Sequence, residues 1–171
     1  MLLPYNLQDL QNDLQVFVIN MRSFNKRYAS IFDMQFKTGL RIGECVQHNR
    51  FVFLDSPHFK IITEKGSNDR IFNYKDFDAY FQDMYLLEQY PFPYCSESVA
   101  SYFFRHYYKY SQVYVENKGI TTHLFRHCLV KFWHELGFDN EYIAEQLGEK
   151  DVKNIQLYID SKLYYNPASA R

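Results

Sequence analysis

The sequence has few cysteines, prolines and glycines, and almost no net charge. Of its 171 residues three are cysteine, five proline and six glycine, and 19 basic side chains face 20 acidic ones, a formal net charge of −1. Cys45, Cys95 and Cys128 are odd in number and far apart, which excludes a disulfide framework and a CxxC metal pair. We expect them to be small buried residues in a reducing compartment.

Long hydrophobic runs are also missing. The first residues, MLLPYNLQDLQNDLQ, have no basic segment, and Pro4 and several polar residues interrupt their apolar stretch. We therefore predict a soluble, cytoplasmic protein with no membrane partner. The near-neutral charge gives no overall attraction to nucleic acid, so any DNA-binding surface requires a local concentration of lysine and arginine.

Apolar residues are sufficient for one core. They make up 47% of the chain and include 16 tyrosines and 16 phenylalanines, which we assign mainly to that core. At this length we predict a single domain over residues 1–171.

Helical periodicity covers most of the sequence. Apolar residues in 5–20 follow one helical face, a second helix is predicted over 25–37 with Gly39 ending it, and a short third over 43–48. Further helical segments lie near 75–89, 97–111, 121–136, 140–147 and 151–160.

The period changes in the intervening region. Residues 51–54, 58–63 and 70–73 are rich in β-branched or aromatic side chains and are separated by turn signals. The sequence therefore predicts a mostly α fold with a small three-stranded antiparallel β-sheet (α+β).

Four short motifs bring together side chains suited to phosphate chemistry. In chain order they are TGLRIGE with Arg41, KGSNDR with Lys65, HLFRH with His123 and Arg126, and LGE with Glu149, which is followed nine positions later by Tyr158. Each motif alone is weak evidence, whereas their order and spacing together are specific.

This set resembles the catalytic domain of the tyrosine recombinases, the phage integrase family. The resemblance implies a catalytic-domain-like fold and a site-specific recombinase or integrase that cleaves and rejoins double-stranded DNA through a 3′-phosphotyrosyl intermediate, without metal, ATP or other cofactor. It also implies a set of catalytic residues: Arg41, Lys65, His123, Arg126, the residue at the Glu149 position, and Tyr158 as nucleophile.

The residue types agree with that chemistry. A phosphodiester under attack gains negative charge, which two guanidinium groups can bind with paired, permanently charged donors. His123 precedes Arg126 by three residues, so both lie near one helix face, whereas His127 is expected to be buried and to orient its neighbours. Tyrosine has a pKa of about 10 and needs nearby cations or a base to attack. Lys65 can protonate the departing 5′ oxygen.

Two features depart from the family pattern. Glu149 stands where the family usually has a histidine or, less often, a tryptophan. Three explanations stay open: its site protonates it, it turns away and Lys150 or a water substitutes, or the enzyme is slow or inactive. The usual N-terminal core-binding domain is absent from the sequence, so the chain is either a fragment of a longer protein or a protein that takes this half from a partner. The resemblance also implies a tetramer on DNA.

Three other functions compete with strand cleavage. The first is a catalytically weak or inactive regulatory relative that binds DNA. The second is a zinc hydrolase, since His123 and His127 have the i,i+4 spacing of H-E-x-x-H with Glu145 or Glu149 downstream, although residue 124 is leucine rather than the general-base glutamate. The third is an all-α domain with incidental motif matches.

Overall fold

The computed structural model describes residues 3–64, 68–110, 113–116 and 121–165. Helices dominate this part of the chain, as predicted. The eight α-helices found there are α1 (Leu7–Phe24), α2 (Lys26–Thr38), α3 (Ile42–Val46), α4 (Ala79–Leu86), α5 (Ser96–Tyr110), α6 (His123–Glu135), α7 (Asn140–Leu147) and α8 (Val152–Asp160).

Local capping sets the helix ends that matter for the site. The Asn25 side chain accepts hydrogen bonds from the amides of Arg27 and Tyr28 at the start of α2. Gly39 ends α2 in the left-handed conformation, with φ at +69°, which glycine adopts without a Cβ clash. This turn directs the chain toward Arg41, the N-cap of α3.

The predicted three-stranded sheet is confirmed. Strands β2 (Phe51–Phe53), β3 (His58–Ile61) and β4 (Arg70–Asn73) pair antiparallel in the order β2-β3-β4. Phe59 pairs with Phe53 on one side and with Phe72 on the other, and its own ring is fully buried. The sheet therefore packs against the core through alternate residues.

A second small sheet was not predicted. It joins β1 (Leu3–Pro4), β5 (Val113–Val115) and β6 (Leu163–Tyr165) in the antiparallel order β1-β6-β5. The sheet brings the two ends of the described chain together beside α8.

Two hydrophobic clusters organise the interior. The larger, which we call the main core, combines buried residues of α1, α2, both sheets, α4, α5 and the first half of α6. The smaller, the α7–α8 cluster, contains Val130, Ile143, Ala144, Leu147 and Ile155. Cys45 and Cys128 are buried, as expected, but Cys95 is exposed because it lies just before α5, outside both clusters.

None of the helices in the described ranges is long and apolar enough to cross a bilayer.

Candidate active site

Arg41 is held at the start of α3 by Glu44. The backbone amide of Arg41 donates to Glu44 Oε1 at 2.8 Å, and the guanidinium lies 3.6 Å from Glu44 Oε2. Glu44 is 1% exposed and also accepts a hydrogen bond from the amide of Glu64, at 2.9 Å. One buried carboxylate thus fixes both Arg41 and the segment that leads into the β3–β4 connection.

Arg126 approaches the same point from α6. It is 1% exposed, and its Nη1 donates to the carbonyl of Gly39 at 2.8 Å. Its Nη2 points to Glu149 Oε2 at 3.4 Å. Burial lowers the pKa of Arg126, but the carbonyl and the carboxylate provide partners for the charge.

Glu149 lies between the two arginines. Gly148 ends α7 in the left-handed conformation, and the amide of Glu149 donates to the carbonyl of Ala144 at 2.8 Å, which fixes the backbone. Glu149 Oε2 accepts from Arg41 Nη2 at 2.9 Å, and Oε1 accepts from Asn154 Nδ2 at 3.2 Å. The side chain therefore points into the site rather than away from it.

The surroundings keep Glu149 ionised. Burial alone would raise its pKa, but hydrogen bonds from Asn154 and Arg41, together with the charges of Arg41 and Arg126, outweigh burial and hold the pKa below its usual value. Of the three explanations for a glutamate here, the structure supports neither a protonated carboxyl nor one that turns away.

Tyr158 and His123 meet across the cleft. The Tyr158 hydroxyl lies 3.0 Å from His123 Nε2, which is hydrogen-bonding distance. The Arg126 guanidinium carbon is 5.5 Å from the centre of the Tyr158 ring, and the His127 ring stands edge-on to it at 4.8 Å. His127 is 3% exposed, as expected for a residue that orients its neighbours.

A cleft of about 650 Å³ opens onto these groups. Its lining includes six residues named above and is completed by further residues of α8 and the turns that flank it: Arg41, His123, His127, Glu149, Lys150, Asp151, Asn154, Leu157, Tyr158 and Ser161. Four of the six predicted site residues line this cleft: Arg41, His123, Glu149 and Tyr158. A fifth, Arg126, contacts Glu149 from the buried side, so five of the six are close together.

The sixth, Lys65, lies outside the described residues. The chain on either side of it is anchored to the site. The amide of Asn68 donates to the Gly148 carbonyl at 2.7 Å, and Glu64 lines a second depression together with Arg41 and His123. Arg70, which ends the KGSNDR motif, is buried and donates to the Thr38 carbonyl at 2.8 Å, so it supports the end of α2.

Sequence reasoning missed two residues, Glu44 and Asn154. Glu44 follows the helix-capping Arg41 by three positions, the spacing of a capping box. Asn154 precedes Tyr158 by four positions and so shares its face of α8. Both spacings are present in the sequence, but neither shows that Glu44 pairs with the Arg41 side chain or that Asn154 donates to Glu149.

The residues proposed for a zinc site do not assemble as one. Glu149 is bound by arginines and Glu145 is exposed. Within the described ranges, no three histidine, cysteine or acidic side chains are grouped as metal ligands would be.

Comparison with known proteins identifies the fold. No protein-family model matches the sequence, and no curated protein matches it. Among solved structures, XerA recombinase has a TM-score of 0.64 and 20% identity over 98% of this chain and 60% of that one. For a lambda integrase dimer bound to a COC′ core site, the TM-score is 0.62 and the identity 16%, over 88% of this chain and 58% of that one. For XerH site-specific recombinase bound to difH substrate, in a pre-cleavage complex, the TM-score is 0.57 and the identity 13%, over 91% of this chain and 49% of that one.

The chain thus has a tyrosine recombinase catalytic-domain-like fold, which confirms the predicted fold class. It spans three fifths or less of the length of each of these structures.

Proposed function

We propose that the protein is a site-specific DNA recombinase or integrase in which Tyr158 cleaves and rejoins strands of double-stranded DNA. The observation that carries the proposal is the 3.0 Å contact between the Tyr158 hydroxyl and His123 Nε2 beside two arginines. A nucleophile, a proton acceptor and two phosphate-binding cations within one cleft are the parts that a phosphoryl transfer requires.

The reaction follows from these positions. Arg41 and Arg126 bind the non-bridging oxygens of the scissile phosphate. The Tyr158 oxygen attacks phosphorus as its proton passes to His123, and the bond to the 5′ oxygen breaks. The 5′ oxygen takes a proton from Lys65, which leaves a 3′-phosphotyrosyl link. Attack by a DNA 5′ hydroxyl reverses these steps, and because the diester energy is conserved the scheme needs neither ATP nor metal.

The role of Lys65 rests on its neighbours. Glu64 is fastened to Glu44 and Asn68 to Gly148, so the described residues on both sides of Lys65 are anchored to the site. The proposal that Lys65 supplies the proton rests on these anchors and on the KGSNDR motif.

Recombination also requires assembly. We propose a cytoplasmic protein in which residues 1–171 form a single catalytic domain. It acts as a tetramer on two DNA sites. Two of the similar structures are complexes, of lambda integrase with a COC′ core site and of XerH with difH substrate, which supports DNA as the partner here.

The test is a covalent adduct. Incubation with a pool of randomised nicked suicide duplexes, followed by denaturing electrophoresis and mass spectrometry, should yield a DNA adduct on Tyr158. Tyr158→Phe should abolish it. Tyr142→Phe, which removes the hydroxyl of an exposed tyrosine on α7, should leave it unchanged. An adduct on a different residue would disprove the assignment of Tyr158.

One observation favours a second candidate, a DNA-binding relative that does not cleave. Glu149 already engages both arginines, which weakens their hold on a phosphate. This candidate is supported if the protein shifts duplex DNA in a native gel but forms no adduct. For the cleaving enzyme, Glu149→His should raise the adduct yield because a neutral or cationic donor replaces the carboxylate. An equal or lower yield would argue against Glu149 as the limiting residue.

A further inference from the structure

We propose that Glu149 is an internal ligand of the two-arginine site, which stays closed to a phosphodiester until this carboxylate is displaced. The inference rests on the proposed function for the identity of the incoming anion. It adds that the protein carries its own competitor for that anion.

The contacts of Glu149 are those expected for a bound phosphate oxygen. Its Oε2 atom accepts hydrogen bonds from Nη2 of Arg41 at 2.9 Å and from Nη2 of Arg126 at 3.4 Å. These donors converge from α3 and α6, two elements that are far apart in sequence. A carboxylate and a phosphodiester are both singly charged oxyanions that bind guanidinium groups in the same way, so they compete for these donors.

The charge of the cluster leads to the same conclusion. Arg41 forms ion pairs with Glu44 and Glu149, and Arg126 forms one with Glu149, so each arginine that would bind the phosphate already has a carboxylate partner. A phosphodiester that joined them beside Glu149 would place two anions against the same pair of guanidinium groups, and like charges at this distance repel. If Glu149 withdraws, the phosphodiester takes its place beside the arginines.

Withdrawal requires little rearrangement of the chain. The backbone at Glu149 is fixed by its hydrogen bond to Ala144, and Gly148 is fixed by Asn68. The side chain, in contrast, borders the 650 Å³ cleft, and among the described residues its far oxygen accepts a hydrogen bond from Asn154 only, at 3.2 Å. Rotation of the side chain into the cleft therefore opens the arginines while the backbone stays in place.

Inorganic phosphate tests the inference without DNA. Its affinity is measured by calorimetry at constant ionic strength for the wild-type protein, Glu149→Gln and Glu145→Gln, the last an equal charge change at an exposed position of α7. Glu149→Gln should bind phosphate at least about tenfold more tightly than wild type, because a charge-assisted competitor is removed. Glu145→Gln should match wild type, and adding Arg41→Gln to Glu149→Gln should abolish the gain.

Equal phosphate affinity in wild type and Glu149→Gln would overturn the inference. If Glu149→Gln does not fold, the Asn154→Ala variant tests the inference instead. This substitution keeps all charges and removes only the Asn154 donor to Glu149 Oε1. It should bind phosphate about threefold more tightly, the effect of one lost hydrogen bond on the competitor, and unchanged affinity would again overturn the inference. A missing DNA adduct would count against the proposed function alone, because phosphate binding needs no cleavage.

Discussion

The two halves of the candidate active site rest on different amounts of core. The main core contains 28 buried residues of the described chain and supports α2, α3 and the start of α6, and with them Arg41, His123 and Arg126. The α7–α8 cluster contains five and supports Glu149 and Tyr158. The half with the two arginines is therefore built into the fold, whereas the half with Tyr158 has little apolar surface to hold it.

Polar contacts replace the missing packing. Glu149 joins the arginines, Tyr158 joins His123, and Lys131 of α6 donates to the carbonyl of Ile159 at 2.8 Å. Such contacts contribute less than buried apolar area and exchange readily with water. The comparison indicates that α7 and α8 open locally at a lower free energy than the main core unfolds.

The largest expected loss of stability comes from a substitution in the main core. Phe32 is fully buried, and its ring contacts those of Phe17, Phe103 and Phe125 at 5.4–6.0 Å between centroids. Phe32→Ala should lower the free energy of unfolding by about 3–5 kcal/mol, a large part of a typical domain's stability. Urea denaturation measures the loss. Phe24→Ala, at an exposed end of α1, should change it by less than about 1 kcal/mol, and a similar loss in both would contradict the assigned core.

The next largest effect on stability tests whether the α7–α8 cluster unfolds independently of the main core. Ile155→Ala removes a fully buried side chain from the α7–α8 cluster and should cost about 2–4 kcal/mol. Hydrogen exchange should accelerate in α7 and α8 while α1 and α2 keep their protection. Leu157→Ala on the exposed face of α8 is the control. Equal acceleration in α2 would show that the clusters unfold as one unit.

Much of this fold could be predicted from the sequence. Periodicity located the helices, Gly39 ended α2, and turn residues separated β2, β3 and β4. The sheet of β1, β5 and β6 was missed because its strands have two or three residues and pair with partners that are distant in the sequence. The predicted helix at 75–89 begins later, at Ala79, because a 3₁₀ turn comes first and the Asp78 side chain caps the helix.

The site was predictable in membership but not in its internal contacts. Spacing grouped His123 with Arg126 and placed Tyr158 after Glu149, and these residues do come together. The orientation of Glu149 depends on Arg41, 108 positions away, and on a hydrogen bond from Asn154. Which side chain satisfies which charge is decided by tertiary packing. The catalytic role of Lys65 stays a prediction.

A smaller effect is expected where the two halves touch. Gly148 has φ at +69°, and a Cβ there would lie 2.4 Å from the Asn68 carbonyl oxygen. Gly137 has φ at +93° with open space around it. Both alanine variants should lose about 1–2 kcal/mol from backbone strain. Gly148→Ala should lower the free energy of unfolding, as measured by urea denaturation, more than Gly137→Ala does, because Asn68 must also move. Equal losses in the two variants would contradict a close contact between Gly148 and Asn68.

The smallest effect is a dependence of stability on pH. The pKa of Glu149 lies below its ordinary value of 4.5, although burial opposes the hydrogen bonds and the arginine charges that lower it. The ionised form therefore stabilises the fold above pH 4.5, and that contribution is lost as the pH falls through the lowered pKa. The wild-type protein should be more stable than Glu149→Gln at pH 7, and the difference should shrink in acid. A difference that stays constant from pH 7 to pH 3, as measured by urea denaturation, would mean that the charge of Glu149 does not tie the α7–α8 cluster to the arginines.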